Sequence, residues 1–434
     1  MSNQVPSRWK PVQFSELLSI SVRNGIYKPK QFHGSGAKIV NMGELFAHPR
    51  LGAVAMKRIE VDDSEIERFG LKKYDLLFAR RSLVAEGAGK CSIVMEVDEP
   101  TVFESSIIRA RPNPQIADPL FLYYFWSSPA GLHLLKTIRR QVAVAGITGT
   151  DLQRLDIPLP PLPEQHRIAS LLGSLDDKIE HNRRTAQALE RLARAIFKAW
   201  FIDFEPVKAK AEGATSFPSM PQDVFDALPT TFVDTEIGPV PEGWGPGKLG
   251  DVLLEYRDSV RPSELEDDTP YIGLEHMPRR SIRLAKWGEV GSVTSNKARF
   301  KAGDFLFGKL RPYFHKVGVA PLDGVCSTDI VVMRPKSPEW FAFGLGHVSS
   351  DAFVAYTNAC SSGTKMPRTN WRDMSNYRIV LPSSRLVRTY DKLVSPFVDS
   401  MRHGIFESKK LSELRDYLLP TLILGRNDHD EIMM

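Results

Sequence analysis

Pro158-Leu-Pro-Pro-Leu-Pro-Glu-Gln165 runs directly into a stretch that ends at Trp200-Phe201 and decides how the chain is organised. Small or apolar residues recur through it at Ile168, Leu172, Leu175, Ile179, Ala186, Leu189, Ala193, Ile196 and Trp200, in alternating steps of four and three. One place on that seam, between Ile179 and Ala186, is taken by the polar Asn182. The spacing predicts a coiled-coil helix of about 37 residues, which at 1.5 Å per residue spans roughly 55 Å, longer than most domain cores contain. Such a helix suits a spacer. Asn182 is then read as a register pin for an antiparallel partner helix.

The chain repeats itself around that helix. Val5-Pro-Ser-Arg-Trp9 returns as Val240-Pro-Glu-Gly-Trp244, and Asp75-Leu-Leu-Phe78 as Asp304-Phe-Leu-Phe307. Ile107-Ile-Arg-Ala-Arg-Pro112 returns as Ile330-Val-Val-Met-Arg-Pro335, and Ile157-Pro-Leu-Pro160 as Ile379-Val-Leu-Pro382. The order is kept while the offset drifts only from 235 to 222, so an internal duplication is expected. In the first copy, strands are predicted at Ala37–Asn41, Leu76–Ala79, Ser92–Glu96 and Thr101–Arg111, with helices at Leu120–Ser127 and Ala130–Arg139. The second copy carries strand candidates at Tyr271–Gly273, Phe305–Gly308, Gly318–Ala320 and Asp329–Arg334, and a helix near Trp340–Val348. A second long helix is expected from about Leu386 to Leu419, with Gly404 inside it and Pro420 ending it.

The expected fold class is α+β. Two similar domains, 1–160 and 238–382, are separated by spacer helices at 161–205 and 383–425, with an irregular linker at 206–237 and a tail at 426–434. If the second helix packs antiparallel on the first, the two domains are held at opposite ends of a rod and related by an approximate two-fold axis. That shape is a ruler.

At 434 residues with 42% hydrophobic and 25% charged content, the chain is an ordinary globular composition with room for two or three cores. No apolar run is long enough for a membrane span and the first residues carry no signal pattern, so a cytoplasmic location and no membrane partner are expected. Cys91, Cys326 and Cys360 are too scattered for a disulfide framework or a zinc cluster. Basic residues exceed acidic ones by five over 1–160 and by three over 238–382, whereas the helical segments are neutral and the linker is acidic. This distribution suits two modules that approach a polyanion.

Catalytic signatures are missing. Glu86-Gly-Ala-Gly-Lys-Cys91 has Cys91 where a phosphate loop needs Ser or Thr, and Val84 where it needs Gly. No dinucleotide fingerprint, nucleophile elbow or metal-spaced histidine pair is present. The adjacent carboxylates Asp62-Asp63, Asp176-Asp177 and Asp267-Asp268 are read as solvated surface. No catalytic residue and no metal site are assigned. Nucleic-acid contacts are assigned instead to Arg80, Arg81, Lys136, Arg139 and Arg140 in the first copy, and to Lys309, Arg311, Lys365 and Arg368 in the second. These lie beside small-residue loops such as Ala145-Gly-Ile-Thr-Gly-Thr150, and arginine suits guanine edges and phosphates. Arg80 and Lys309 each follow the aspartate of their copy by five residues.

Pro158–Gln165, Leu175-Asp-Asp-Lys-Ile179, Asn182-Arg183 and Ala195-Ile-Phe-Lys-Ala-Trp-Phe-Ile-Asp-Phe-Glu-Pro-Val207 resemble the central conserved region of the specificity subunits of type I restriction-modification enzymes. Ala209–Gly213 and Ile237–Trp244 resemble that family's linker and the start of its second domain, while Leu381-Pro-Ser-Ser-Arg385 departs from the pattern by lacking the Pro-Leu-Pro-Glu-Gln ending. The resemblance implies two target-recognition domains that read the halves of a bipartite double-stranded DNA target. It also implies two modification subunits that methylate adenine with S-adenosylmethionine and, in the full complex, two restriction subunits that use ATP and Mg. No cofactor would then sit in this chain. The spacer residues Leu172, Leu175, Ile179, Asn182, Leu189, Ile196, Trp200 and Phe201 would serve the helical partner surface. The competing reading is an assembly scaffold whose coiled coil and repeats bind protein rather than DNA.

Overall fold

The computed structural model describes residues 9–140, 145–292, 295–363 and 366–424. The tail after 425, Lys365 and the residues of the first repeat motif before Trp9 lie outside them. The chain forms two compact units, one from residues 1–178 with 410–434 and the other from 179–409.

In the first unit a five-stranded sheet runs in the order Leu18–Asn24, Ile107–Pro112, Leu76–Ala79, Cys91–Val94, Arg50–Leu51. Leu76–Ala79 is apolar throughout and buried on both faces, as a central strand must be. Its alternate residues serve two cores. Leu76 and Phe78 join Phe14 and Trp126 on one side, and Leu77 and Ala79 join Val40 and Phe103 on the other. The expected strand Thr101–Arg111 is two strands, Thr101–Phe103 and Ile107–Pro112, separated by a turn in which the Ile107 amide donates to the Glu104 carbonyl. Helices Pro119–Ser127 and Pro129–Thr137 each start with proline after a capping residue, Asp118 and Ser128.

The second unit rebuilds this frame. Leu253–Glu255, Ile330–Pro335, Phe305–Gly308 and Val317–Val319 form its four-stranded sheet, with strand neighbours matching those of the first unit. The entering strand Lys10–Gln13 pairs with Asp156–Leu159, and Gly245–Lys248 pairs with Arg378–Leu381, in the same antiparallel register. The duplication also includes an ion pair between a buried aspartate and a half-buried arginine. Arg111 grips Asp75 with two hydrogen bonds of 2.7 and 2.8 Å, and Arg334 grips Asp304 with two of 2.6 and 2.8 Å. The same carboxylates accept from the Lys72 and Lys301 amides at 2.8 and 2.7 Å. The hydrogen bonds to Asp304 hold the Arg334 guanidinium above its ordinary pKa.

The first long helix spans Leu162–Phe197 and ends in one π-helical turn at Lys198–Ile202. Gln165 staples its start, donating to the Pro160 carbonyl at 2.8 Å and accepting from the Asp118 amide at 2.9 Å. The second long helix spans Ser384–Leu424. Within the second unit, Asn182 lies against Gly404, and the Ala193 carbonyl accepts from the Tyr390 hydroxyl. Partner numbers fall along one helix as they rise along the other, so the segments are antiparallel there. Asn182 and Gly404 are 222 residues apart, which makes them equivalent positions of the repeat. In the first unit, Ile168, Ala169 and Leu172 share a core with Leu419 and Ile423.

Three further expectations differ from the structure. The second helix does not stop at Pro420 but runs on to Leu424. Burial of Leu419 and Ile423 there offsets the roughly 3 kcal/mol that proline costs inside a helix. The segment 206–237 is not irregular: it holds helices Glu205–Ala211 and Gln222–Asp226 and the strand Phe232–Thr235. Val207, Val224 and Phe225 are buried in the second unit's core, so tertiary packing overrides the composition. Asp176 is not solvated surface. It is buried, accepts from the Tyr124 hydroxyl at 2.7 Å and pairs with Arg415 at 2.6 Å, while its neighbour Asp177 points outward to Arg50. Burial raises the Tyr124 hydroxyl pKa, and the adjacent Asp176 charge adds to the shift.

Candidate nucleic-acid interface

The residues after the central strand of each unit meet a second loop that is about sixty residues further along the chain. In the first unit, Arg81–Ser82 pairs antiparallel with Ala145–Gly146. The Arg80 carbonyl accepts from the Ile147 amide at 3.0 Å, and the Arg80 guanidinium donates to the Ser105 carbonyl at 3.2 Å. Arg140 exchanges backbone hydrogen bonds with Gly146 at 2.9 and 3.2 Å. Arg139 donates to the Ala88 carbonyl at 2.8 Å, which fixes its stem against the first loop. Arg80, Arg81, Arg139 and Arg140 therefore sit on two loops joined by backbone pairing, and Lys136 lies in the last turn of the helix that leads into the second of them. Arg81 and Lys136 are exposed, and no ion pair holds either of them among the described residues. Arg140 is paired with Asp151 at 2.7 Å.

The second unit joins the corresponding loops in the same way. The Lys309 carbonyl accepts from the Thr369 amide at 3.1 Å, the counterpart of the Arg80–Ile147 bond. The Arg311 amide donates to the Pro367 carbonyl at 2.7 Å, and Leu310 bridges Arg368. Just beyond each joint a polar residue caps a short helix: Thr148 accepts from the Asp151 amide, and Asn370 from the Asp373 amide. Arg311 takes the left-handed conformation, φ 51°, before the turn Pro312–Phe314, and its guanidinium carbon lies 6.0 Å from the Phe314 ring centre. Its Nε is buried without a hydrogen-bond partner among the described residues. Arg368 is anchored to Asp329 at 3.1 Å.

Sequence reasoning passed over Arg279, whose guanidinium lies 4.1 Å from the centre of the Phe314 ring and adds a cation to the second loop pair. The dipeptide Arg279-Arg280 was its signal, hidden because it lies about thirty residues before Lys309. Among the described residues no group of three His, Cys, Asp or Glu side chains could hold a metal ion. None of their helices is long and apolar enough to cross a membrane. Cys91 and Cys326 are buried thiols, and Cys360 is exposed. Burial pushes the Cys326 thiol up to about 12, which leaves it inert.

Of the spacer residues, Leu172, Asn182, Ile196, Trp200 and Phe201 are buried, while Leu175, Ile179 and Leu189 are half-buried. Asn182 donates to the Glu407 carboxylate at 2.7 Å and to the Ser408 hydroxyl at 3.3 Å. Trp200 and Phe201 pack around Tyr390.

The chain thus carries a repeated α+β frame that presents paired basic loops, with one long helix between the copies in sequence and another after the second copy. Residues 6–191 match the family described as Type I restriction modification DNA specificity domain. The chain is similar to the Type I restriction enzyme HindI specificity subunit of Haemophilus influenzae, at 24% identity over 82% of this chain and 87% of that protein. It is likewise similar to the MjaIX specificity subunit of Methanocaldococcus jannaschii, at 24% identity over 72% of this chain and 70% of that protein. The crystal structure of a type I restriction-modification S subunit from M. genitalium shares the fold, with a TM-score of 0.58 at 14% identity over 97% of both chains. The resemblance read from the sequence is the one these comparisons return.

Proposed function

We propose that this chain is the specificity subunit of a type I restriction-modification system and that each unit contacts one half of a split double-stranded DNA target. The observation that carries the reading is the repeated joint. In both units a basic loop after the central strand is tied by a backbone hydrogen bond to a second basic loop, through Arg80 and Ile147 and through Lys309 and Thr369. Free cations on such loops suit phosphates, and bidentate arginines suit guanine edges. The domain boundaries expected from the sequence, with recognition modules at 1–160 and 238–382, belong to this reading. So does the role of the long helices, which set the gap between the half-sites and carry two modification subunits.

Catalysis then lies on the partners. S-adenosylmethionine would be held by the modification subunits, and ATP and Mg by two restriction subunits in the full complex, all in the cytoplasm of a prokaryotic cell. Long-read methylome sequencing tests the reading in cells that express the modification subunits. Deleting this chain should erase one family of methylated split motifs. An unchanged methylome would refute it.

A further inference from the structure

Leu83 is 92% exposed, the most exposed large apolar side chain among the described residues, and Val84 beside it is 63% exposed. A lone exposed leucine is ordinary. This one sits two residues after Arg81, at the tip of a loop that is held firmly. The Val84 amide donates to the Ser82 hydroxyl at 3.2 Å, and the Gly87 amide to the Val84 carbonyl at 3.0 Å. A Cβ on Gly87 would lie 2.3 Å from the Ser82 hydroxyl, so the turn is built tightly behind the tip. The pairing of Arg81–Ser82 with Ala145–Gly146 fixes its base.

The second unit repeats the device with different chemistry. Tyr313, at the position 229 residues on from Val84, is 49% exposed beside Arg311, and Met366 is 52% exposed next to Arg368. Each loop pair thus carries at least one exposed apolar side chain among cations that suit phosphates. A preorganised tip loses little conformational entropy on binding.

We infer that Leu83 reads the 5-methyl group of a thymine in the major groove of the half-site contacted by the first unit. This rests on the DNA-binding reading above. Leucine has no donor or acceptor, and the thymine methyl is the apolar group that base edges display in that groove. Arg80 and Arg81 on the same loop bring the tip against the duplex.

The test uses the full chain assembled with its modification subunits and duplexes carrying the methylated target found in the methylome. Thymines of each half-site are replaced one at a time by uracil, which lacks only the methyl group. Wild type should lose about fourfold in affinity at one position in one half-site, the change that burying one fewer carbon gives. Leu83→Ala should bind the thymine duplex as weakly as wild type binds that uracil duplex, and should be indifferent to the swap. Sequence-specific binding that tolerates every uracil would overturn the role of Leu83 and leave the DNA reading standing. Persistent uracil sensitivity in Leu83→Ala, or a Leu83→Ala defect confined to subunit assembly, would overturn it equally. Failure of the wild-type complex to prefer its target duplex over an unrelated one would bring down both readings.

Discussion

The two units share a frame and differ in what they place beside it. Both bury an aspartate under a bidentate arginine, and both tie their basic loops at the same backbone atom. Yet at Tyr124, where the first unit sends a hydroxyl to Asp176, the second has His347 at the corresponding place in the repeat, and Val398 replaces the aspartate. His347 packs edge-on between the rings of Phe197 and Phe343, and its Nε2 has no partner among the described residues. The loop tips diverge too, with Leu83 and Val84 in one unit and Tyr313 in the other. What duplicated was a rigid support. What diverged are the helix packing and the exposed side chains at the loop tips, which suits the proposed contact of each unit with a different half-site.

The frame is the firmest part of the comparison and its loss should cost most. Asp75→Ala and Asp304→Ala each remove a buried carboxylate that holds a half-buried arginine and a turn amide, which should destabilise the affected unit by about 3 kcal/mol, the low end for breaking a buried pair. Hydrogen exchange, read unit by unit, would check this. A large loss in one unit and none in the other would break the equivalence.

The divergent position is worth less. Tyr124→Phe removes one of two partners from the buried Asp176 and should cost the first unit about 1–3 kcal/mol, measured by denaturant unfolding. At the matching place in the second unit, burial pushes the His347 imidazole down to about 3 from its ordinary 6.5. The folded unit therefore holds the ring neutral while the unfolded chain takes up a proton below pH 6.5. Stability from this residue is fully present above that pH and is lost as pH falls toward 3. Relative to pH 7.5, it should cost about 1.4 kcal/mol at pH 5.5. His347→Phe should flatten that part of the acid limb, and an identical acid limb in the variant would contradict the assignment.

The smallest effect concerns helix register. Asn182→Ala deletes the hydrogen bonds to Glu407 and Ser408 and should cost about 1 kcal/mol in thermal unfolding. An unchanged melting temperature would remove Asn182 as a register pin.

Much of this was legible in the residues. Asp-x-Leu-Phe and the Arg-Pro strand ends repeat because the ion pair demands an aspartate before one strand and an arginine on its neighbour. The seam through Ile168, Leu172 and Ala193 showed the first helix because a period near 3.5 survives in any sequence that buries one face. The rest depended on contacts remote in sequence. Asp176 looks like half of a solvated pair until Tyr124 and Arg415 arrive from 52 and 239 residues away. Pro420 reads as a stop unless the burial of Leu419 and Ile423 is known. Glu205–Gly238 is polar enough to pass for a linker because Val207, Val224 and Phe225 are spaced too irregularly to show one apolar face. Within the candidate site, the basic clusters were visible, but their convergence was not. Backbone pairing between Arg80 and Ile147 leaves no mark on side-chain identity.

The proposed function requires two like loop pairs, each serving one half of a split target. Methylome sequencing of two variants tests it directly: Arg80→Ala with Arg81→Ala in the first unit, and Lys309→Ala with Arg311→Ala in the second. Each variant should relax or abolish base preference on one side of the gap, a different side for each, with the gap unchanged. Alteration of both sides by either variant, or of the same side by both, would contradict one half-site per unit.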